Sequence, residues 1–170
     1  MVKNFSPIKN TSSQKGQSLV ELALSITVVF ILLAGAFEFG MAFFDYIILR
    51  DAAQEGALYG SIAPVIDANN NGKYDVGEQL NTAAIIARVR QSSTAPRNLA
   101  NDTALDEPDI CIEGSPCTGR EGSPCTGGEI TVTLRYHHQL TTPFIGTILG
   151  SQEILLTASV TDTILQPACP

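Results

Sequence analysis

Apolar side chains run without a charge through residues 22–37 and resume after Glu38 through 39–44. A helix rising about 1.5 Å per residue would make 22–44 roughly 35 Å long, enough to cross a hydrocarbon core of about 30 Å. This pattern predicts a membrane span. Beyond it, Ala52, Gly56 and Gly60 recur every fourth residue beside Ala53 and Ala57. The helix is therefore expected to continue as a small-residue face on which another backbone can come close. That backbone belongs either to this chain's own distal domain or to another subunit. Pro64 predicts the helix end, because its ring removes a donor and disfavours helical geometry in the preceding residue.

The remaining pattern is mixed. Residues 80–92 place Ile85, Ile86 and Val89 on one helical stripe and leave Arg88 and Arg90 to solvent. Residues 94–108 are turn-rich, and 109–113 predict a short strand. In 129–137, Ile130, Val132, Leu134 and Tyr136 alternate with Glu129, Thr131, Thr133 and Arg135, the period of a half-buried strand. Residues 153–164 repeat that alternation with Ile154, Leu156, Ala158 and Val160. The expected fold is α+β: a long N-terminal helix, then a small domain with a short helix covering an antiparallel sheet. Between the first two strands, 113–120 and 121–128 read EGSPCTGR and EGSPCTGG. Two copies are too few for a repeat architecture, so 113–128 is expected to be a lengthened surface loop.

Charge orients this plan. Lys3, Lys9 and Lys15 are the only ionisable side chains among the first twenty residues, and Asp45 and Asp51 follow the apolar run. Positive charge is retained on the cytoplasmic side, so the N-terminus is expected inside and the chain beyond about Asp45 outside. With 10 Lys+Arg against 17 Asp+Glu the net charge is -7, which offers a nucleic-acid backbone no basic footprint. A secretory signal peptide cut after Ala34-Gly35-Ala36 is the competing reading. Its apolar segment usually holds about 7 to 15 residues, whereas here the apolar character continues through Phe39, Met41, Phe43 and Phe44. Glu21 at the entrance of the run also needs a purpose, since a carboxylate at the centre of a membrane helix costs about 2.5 to 3.5 kcal/mol even on insertion scales.

Gly16-Gln17-Ser18-Leu19-Val20-Glu21 resembles the processing site of type IV pilin precursors. With Glu38-Phe39-Gly40 and Ala52-Ala53-Gln54-Glu55-Gly56-Ala57, residues 15–60 are similar to the TadE-like family, pilin-related minor subunits of tight-adherence pili. Residues 130–164 agree with that family only in general strand pattern. The resemblance implies that a prepilin peptidase removes the basic leader 1–16 after Gly16 and makes Gln17 the new N-terminus. Residues 17–62 would then form the transmembrane and extended helix, and 63–170 the exported domain. It further implies that Glu21 meets the α-amino group of a neighbouring subunit, with other pilin subunits and the pilus assembly machinery as partners.

A separate motif occupies residues 67–78. Asp67, Asn69, Asn71, Lys73, Asp75 and Glu78, with Gly72 at the turn, fill the constrained positions of a twelve-residue EF-hand loop. Calcium takes six to eight oxygens, and this spacing supplies side-chain oxygens, the Lys73 carbonyl and a bidentate Glu78. A solvated Asn/Gly loop is the competing reading. Pro64 stands where an entering helix belongs and no second loop pairs with the first, so a structural calcium site of extracellular affinity is expected rather than a switch.

Cys111, Cys117, Cys125 and Cys169 are even in number, on the outer side, and not spaced for zinc or redox chemistry. Two disulfides are expected. Of the three pairings, Cys117 with Cys125 and Cys111 with Cys169 is preferred. His137 and His138, as strand neighbours, point to opposite faces and are expected to be solvated strand-end residues rather than ligands of one ion. No phosphate loop, nucleophile elbow or acid/base pair stands out, so the expectation is a structural, non-enzymatic single-pass membrane protein. The alternative function is a secreted or tethered calcium-binding module unrelated to pili.

Overall fold

The computed structural model describes residues 13–73, 75, 78–94, 97–112 and 124–167. They fall into two compact units, Met1–Phe39 and Gly40–Pro170. One helix, α1 (Ser13–Ile62), contributes to both.

In the first unit α1 presents its large apolar side chains outward: Leu24 is 65 %, Phe30 62 % and Leu32 67 % exposed. Two of its hydroxyls are turned back into the helix. Ser25 Oγ donates to the Glu21 carbonyl and Thr27 Oγ1 to the Ala23 carbonyl, both at 2.8 Å. Such internal bonding leaves neither hydroxyl seeking a partner, as an apolar surrounding requires. Among the described residues this is the one helix long and apolar enough to cross a membrane, with a mean hydropathy of 2.4 in its most apolar window.

The second unit is the α+β domain expected from the pattern. The rest of α1 packs with α2 (Thr82–Gln91) against a three-stranded antiparallel sheet of β1 (Asp109–Ile112), β2 (Glu129–Gln139) and β3 (Glu153–Thr163), in the order β1-β2-β3. Leu49, Ala52, Ala53 and Ala57 of α1, Ile85 and Val89 of α2, and Ile130, Val132 and Leu134 of β2 form the core. A β-carbon added at Gly56 would lie 2.5 Å from Val89 Cγ2, and one at Gly60 the same distance from Ile130 Cδ1. The small-residue face therefore receives this chain's own helix and sheet, which decides between the two partners left open by the sequence.

Register follows the alternation: Ile110 faces Val132 across β1 and β2, and Val132 faces Val160 across β2 and β3. The outer face is hydroxyl-rich, with Thr131 bonded to Thr161 at 2.7 Å and Thr133 to Ser159 at 2.9 Å. α1 ends at Ile62, two residues before Pro64, whose carbonyl accepts the Asn81 N–H at 2.7 Å. α2 begins later than residue 80 because Val65 and Leu80 form a β-bridge at the base of the intervening loop. A third helix, α3 (Pro143–Leu149), caps the β2–β3 connection and is not predicted by periodicity. At seven residues it is too short to show a stripe. Residues 113–123 of the duplicated octads lie outside the described residues.

Candidate functional site

Three clusters carry the chemistry. The first is the start of α1, where Gly16, Gln17 and Glu21 all stand exposed on one helix that already begins at Ser13. A β-carbon at Gly16 would meet nothing within 4 Å. Gln17 and Glu21 are one turn apart, and the Gln17 side-chain amide donates to Glu21 Oε1 at 3.3 Å. No cationic side chain pairs with Glu21 among the described residues.

The second is the loop after α1. Asp67 accepts the backbone N–H groups of Asn71 at 3.2 Å and Gly72 at 2.7 Å. The bond to Gly72 foremost, with that to Asn71 helping, holds the Asp67 carboxyl below its ordinary value against the opposing effect of desolvation. Asn69 Oδ1 accepts from the Asn71 N–H, and Asn71 Oδ1 from the Lys73 N–H at 2.7 Å. Glu78 spans the loop, one oxygen accepting from Ala68 N–H at 3.0 Å and the other from Asp75 N–H at 3.1 Å. Asp75 Oδ2 receives the side-chain amides of Asn69 and Asn71, the latter at 2.7 Å. Asn70 and Gly72 take positive φ, 57° and 72°, to fold the chain tightly enough for this. All six predicted ligand residues thus belong to one self-bonded loop. Among the described residues no His, Cys, Asp or Glu cluster of three is disposed to hold a metal by itself, so any cation here depends on amide and carbonyl oxygens too. Tyr74, Val76 and Gly77 lie outside the described residues.

The third cluster is not among the sites expected from sequence. Asp45 on α1 is 3 % exposed and is gripped by Arg97, whose Nε and Nη2 reach its two oxygens at 2.8 and 2.9 Å. His138 Nδ1 lies 2.7 Å from Asp45 Oδ2. Arg97 also stacks on the Tyr136 ring, 5.0 Å from its centroid, and approaches Asp102 at 3.5 Å. Burial works to lower the Arg97 pKa, but the hydrogen bonds and charge of Asp45 outweigh it and leave the guanidinium more firmly protonated than usual. Burial pushes the Tyr136 hydroxyl up to about 12. The expectation of solvated strand-end histidines is corrected for one of the pair. His137 is partly exposed between Asp106 and Glu153, whereas His138 is 3 % exposed and inside. A signal for it exists: His138 has the same parity as Ile130, Val132, Leu134 and Tyr136, so extending the alternation by one step places it on the core face.

Cys111 and Cys125 are both disulfide-bonded; Cys117 and Cys169 lie outside the described residues. Comparison with known proteins bears on the first cluster. Residues 16–58 match the family model described as TadE-like protein, the family that the blocks around Gly16, Glu38 and Ala52 resemble. This segment is a quarter of the chain and contains the outward-facing apolar run of α1. No curated protein and no solved structure matches the chain.

Proposed function

We propose that this chain is a structural minor pilin or pseudopilin of a tight-adherence pilus or secretion system, held in the membrane by α1 before joining the assembly. The observation that carries the reading is the coincidence of Gly16, Gln17 and Glu21 with the start of an outward-facing apolar helix inside the TadE-like segment. A prepilin peptidase cuts after Gly16. The new α-amino group at Gln17 of one subunit then meets Glu21 of another, two opposite charges that satisfy each other in a low dielectric better than either does alone. The N-terminus faces the cytoplasm and the sheet domain lies outside, where it takes part in a non-enzymatic assembly with other pilin subunits.

The test is N-terminal sequencing of the mature protein. A start at Gln17 is expected, and Gly16→Leu should retain the leader. A start at Phe37 would make the chain a secreted module and overturn the anchor. Glu21→Gln is expected to leave expression and membrane insertion intact and to deplete the chain from purified filaments.

The loop 67–78 is proposed to take one calcium ion. Asp67, Asp75 and Glu78 bring three carboxylates into a short loop with no ion pair among the described residues. The two asparagine amides donating to Asp75 occupy the role a cation would have. Asp67, Asn69, Asn71, Asp75 and Glu78 side chains with the Lys73 carbonyl would hold the ion, which would stiffen the junction after α1. Calorimetry should show binding near millimolar calcium, lost in Asp67→Ala and Glu78→Ala; an unchanged melting temperature in chelator would refute the site. The two disulfides are proposed to join all four cysteines, and peptide mapping without reduction would give their pairing.

A further inference from the structure

We infer that the free edge of β3 is an interface between two copies of this chain, which pair β3 to β3 antiparallel about a two-fold axis at Ala158. The inference stands on the α+β unit alone and depends neither on the processing of Gly16 nor on the calcium loop.

The phase of the β2–β3 ladder decides which backbone groups that edge offers. β3 is an outer strand of the sheet, and its register with β2 is unbroken. At the two ends of this ladder the Leu140 N–H donates to the Gln152 carbonyl and the Ile164 N–H to the Gly128 carbonyl, each at 2.8 Å. Both bonds join even-numbered residues. On the other side of β2, the His137 N–H donates to the Ala104 carbonyl, and the Arg135 carbonyl accepts the Asp106 N–H. Hydrogen-bonding direction alternates along a strand, so the even residues of β3 are turned to β2 and the odd ones to the open edge. Local bonds take up the edge at both ends. Ser151 Oγ accepts the Glu153 N–H at 3.0 Å and donates to the Glu153 carbonyl at 2.8 Å. The Thr163 N–H donates to Asp162 Oδ1 and the Leu165 N–H to the Ser61 carbonyl, each at 2.8 Å. Between these ends Leu155, Thr157, Ser159 and Thr161 are all exposed, and among the described residues their edge-facing N–H and C=O groups have no partner.

That open window is symmetric about Ala158, and the symmetry selects a second copy as the occupant. With Ala158 on the axis, Leu155 of each copy falls opposite Thr161 of the other and Thr157 opposite Ser159, as closely spaced hydrogen-bonded pairs. Every open N–H and C=O on both strands is then used, and the interface closes on itself. The side chains agree with this register. Leu156 meets Val160 on the core face, where both are half-buried in the single chain. Thr157 meets Ser159 on the outer face, extending the hydroxyl pairs that Thr131 with Thr161 and Thr133 with Ser159 already make. Like charges directly opposite would oppose pairing, but Glu153 falls opposite Thr163 and Asp162 opposite Ile154. The strand reads EILLTASVTDT, without the Lys, Arg or Pro that usually blunts an edge. The sheet's other outer strand, β1, is only four residues long.

A two-stranded seam is expected to bury less than the about 1,200 Å² of a stable interface, so a covalent trap suits it better than an equilibrium measurement. The full chain in detergent, carrying either Leu155→Cys or Thr161→Cys, is oxidised as each protein alone and as a mixture of the two. Opposed residues lie about 5.5 Å apart at Cα, within reach of a disulfide, whereas the Leu155 positions of two copies lie roughly 20 Å apart along the seam. The mixture is expected to yield severalfold more cross-linked dimer than either protein alone. Thr157→Pro in both proteins should bring the mixture down to the level of the separate proteins, because it removes an edge N–H and leaves the ladder to β2 intact. Its melting temperature checks that the fold is kept. Should that variant unfold, Thr157→Lys with Ser159→Lys takes its place and sets like charges directly opposite across the axis. Equal yields from the mixture and the separate proteins overturn the proposal, and so does a mixture yield that neither edge variant lowers. Glu21→Gln should leave the yield unchanged; a yield lost with Glu21→Gln would assign the association to α1 and overturn the β3 edge as its seat.

Discussion

Along α1, side-chain size and exposure run opposite to the habit of a soluble helix. Leu24, Phe30 and Leu32 are more than three-fifths exposed, whereas Ala52, Ala53 and Ala57 are not exposed at all. The acids divide the same way: Glu21 is exposed and bonded to Gln17 of its own helix, and Asp45 is buried under Arg97 and His138. The difference teaches that the two stretches are built for two solvents. Large apolar groups facing outward are tolerable where lipid replaces water, while small ones are needed where a sheet and a helix of the same chain must approach the backbone.

The sharpest way to break the comparison is to remove the buried acid. Asp45→Ala strips Arg97 and His138 of their shared partner and leaves a cation in a mostly dry site, so a loss of about 3 kcal/mol is expected. Chemical denaturation of the detergent-solubilised protein would measure it. Glu21→Gln in the same assay should leave stability unchanged, since no ion pair among the described residues depends on it.

Smaller effects are expected from the glycines. Gly56→Leu and Gly60→Leu drive a side chain into Val89 or Ile130 and should cost about 2 kcal/mol each, the usual scale of overpacking. Gly40→Ala enters open space and should cost nothing. A melting temperature lowered by Gly40→Ala as much as by Gly56→Leu would erase the distinction between the two stretches.

Alkaline titration sharpens the buried cluster further. The hydroxyl of Tyr136 is pushed from 10.0 up to about 12, first by burial, with Arg97 pulling the other way and Asp102 and Asp45 adding to the rise. Its folded value lies above its unfolded one, so the stabilisation is complete below pH 10.0 and is lost as the pH climbs toward about 12. The wild type should lose melting temperature over that window more steeply than Tyr136→Phe. The smallest effect is expected at the surface of the same helix. Glu55 and Arg88 pair at 2.9 Å with both side chains about half exposed, and Glu55→Ala should cost less than about 1 kcal/mol and less still in high salt.

The sequence alone determined whatever rests on short-range periodicity. An uncharged apolar run announces a helix for an apolar solvent, period-two alternation announces strands with one face inside, and Pro64 marks a helix end within two residues of where it falls. The spacing of residues 67–78 likewise foretold a loop in which Asp67 and Glu78 turn inward, because each of those bonds spans no more than ten residues. Tertiary structure decided the rest. Asp45 and His138 are 93 residues apart, and no local pattern says which acid meets which histidine; that emerges only when β2 is laid antiparallel along α1. The same placement assigned the small-residue face to this chain's own sheet. Local pattern is written in the spacing of neighbours, whereas partnership across the fold depends on how whole elements are oriented, and that is settled by burying one face of each against the others.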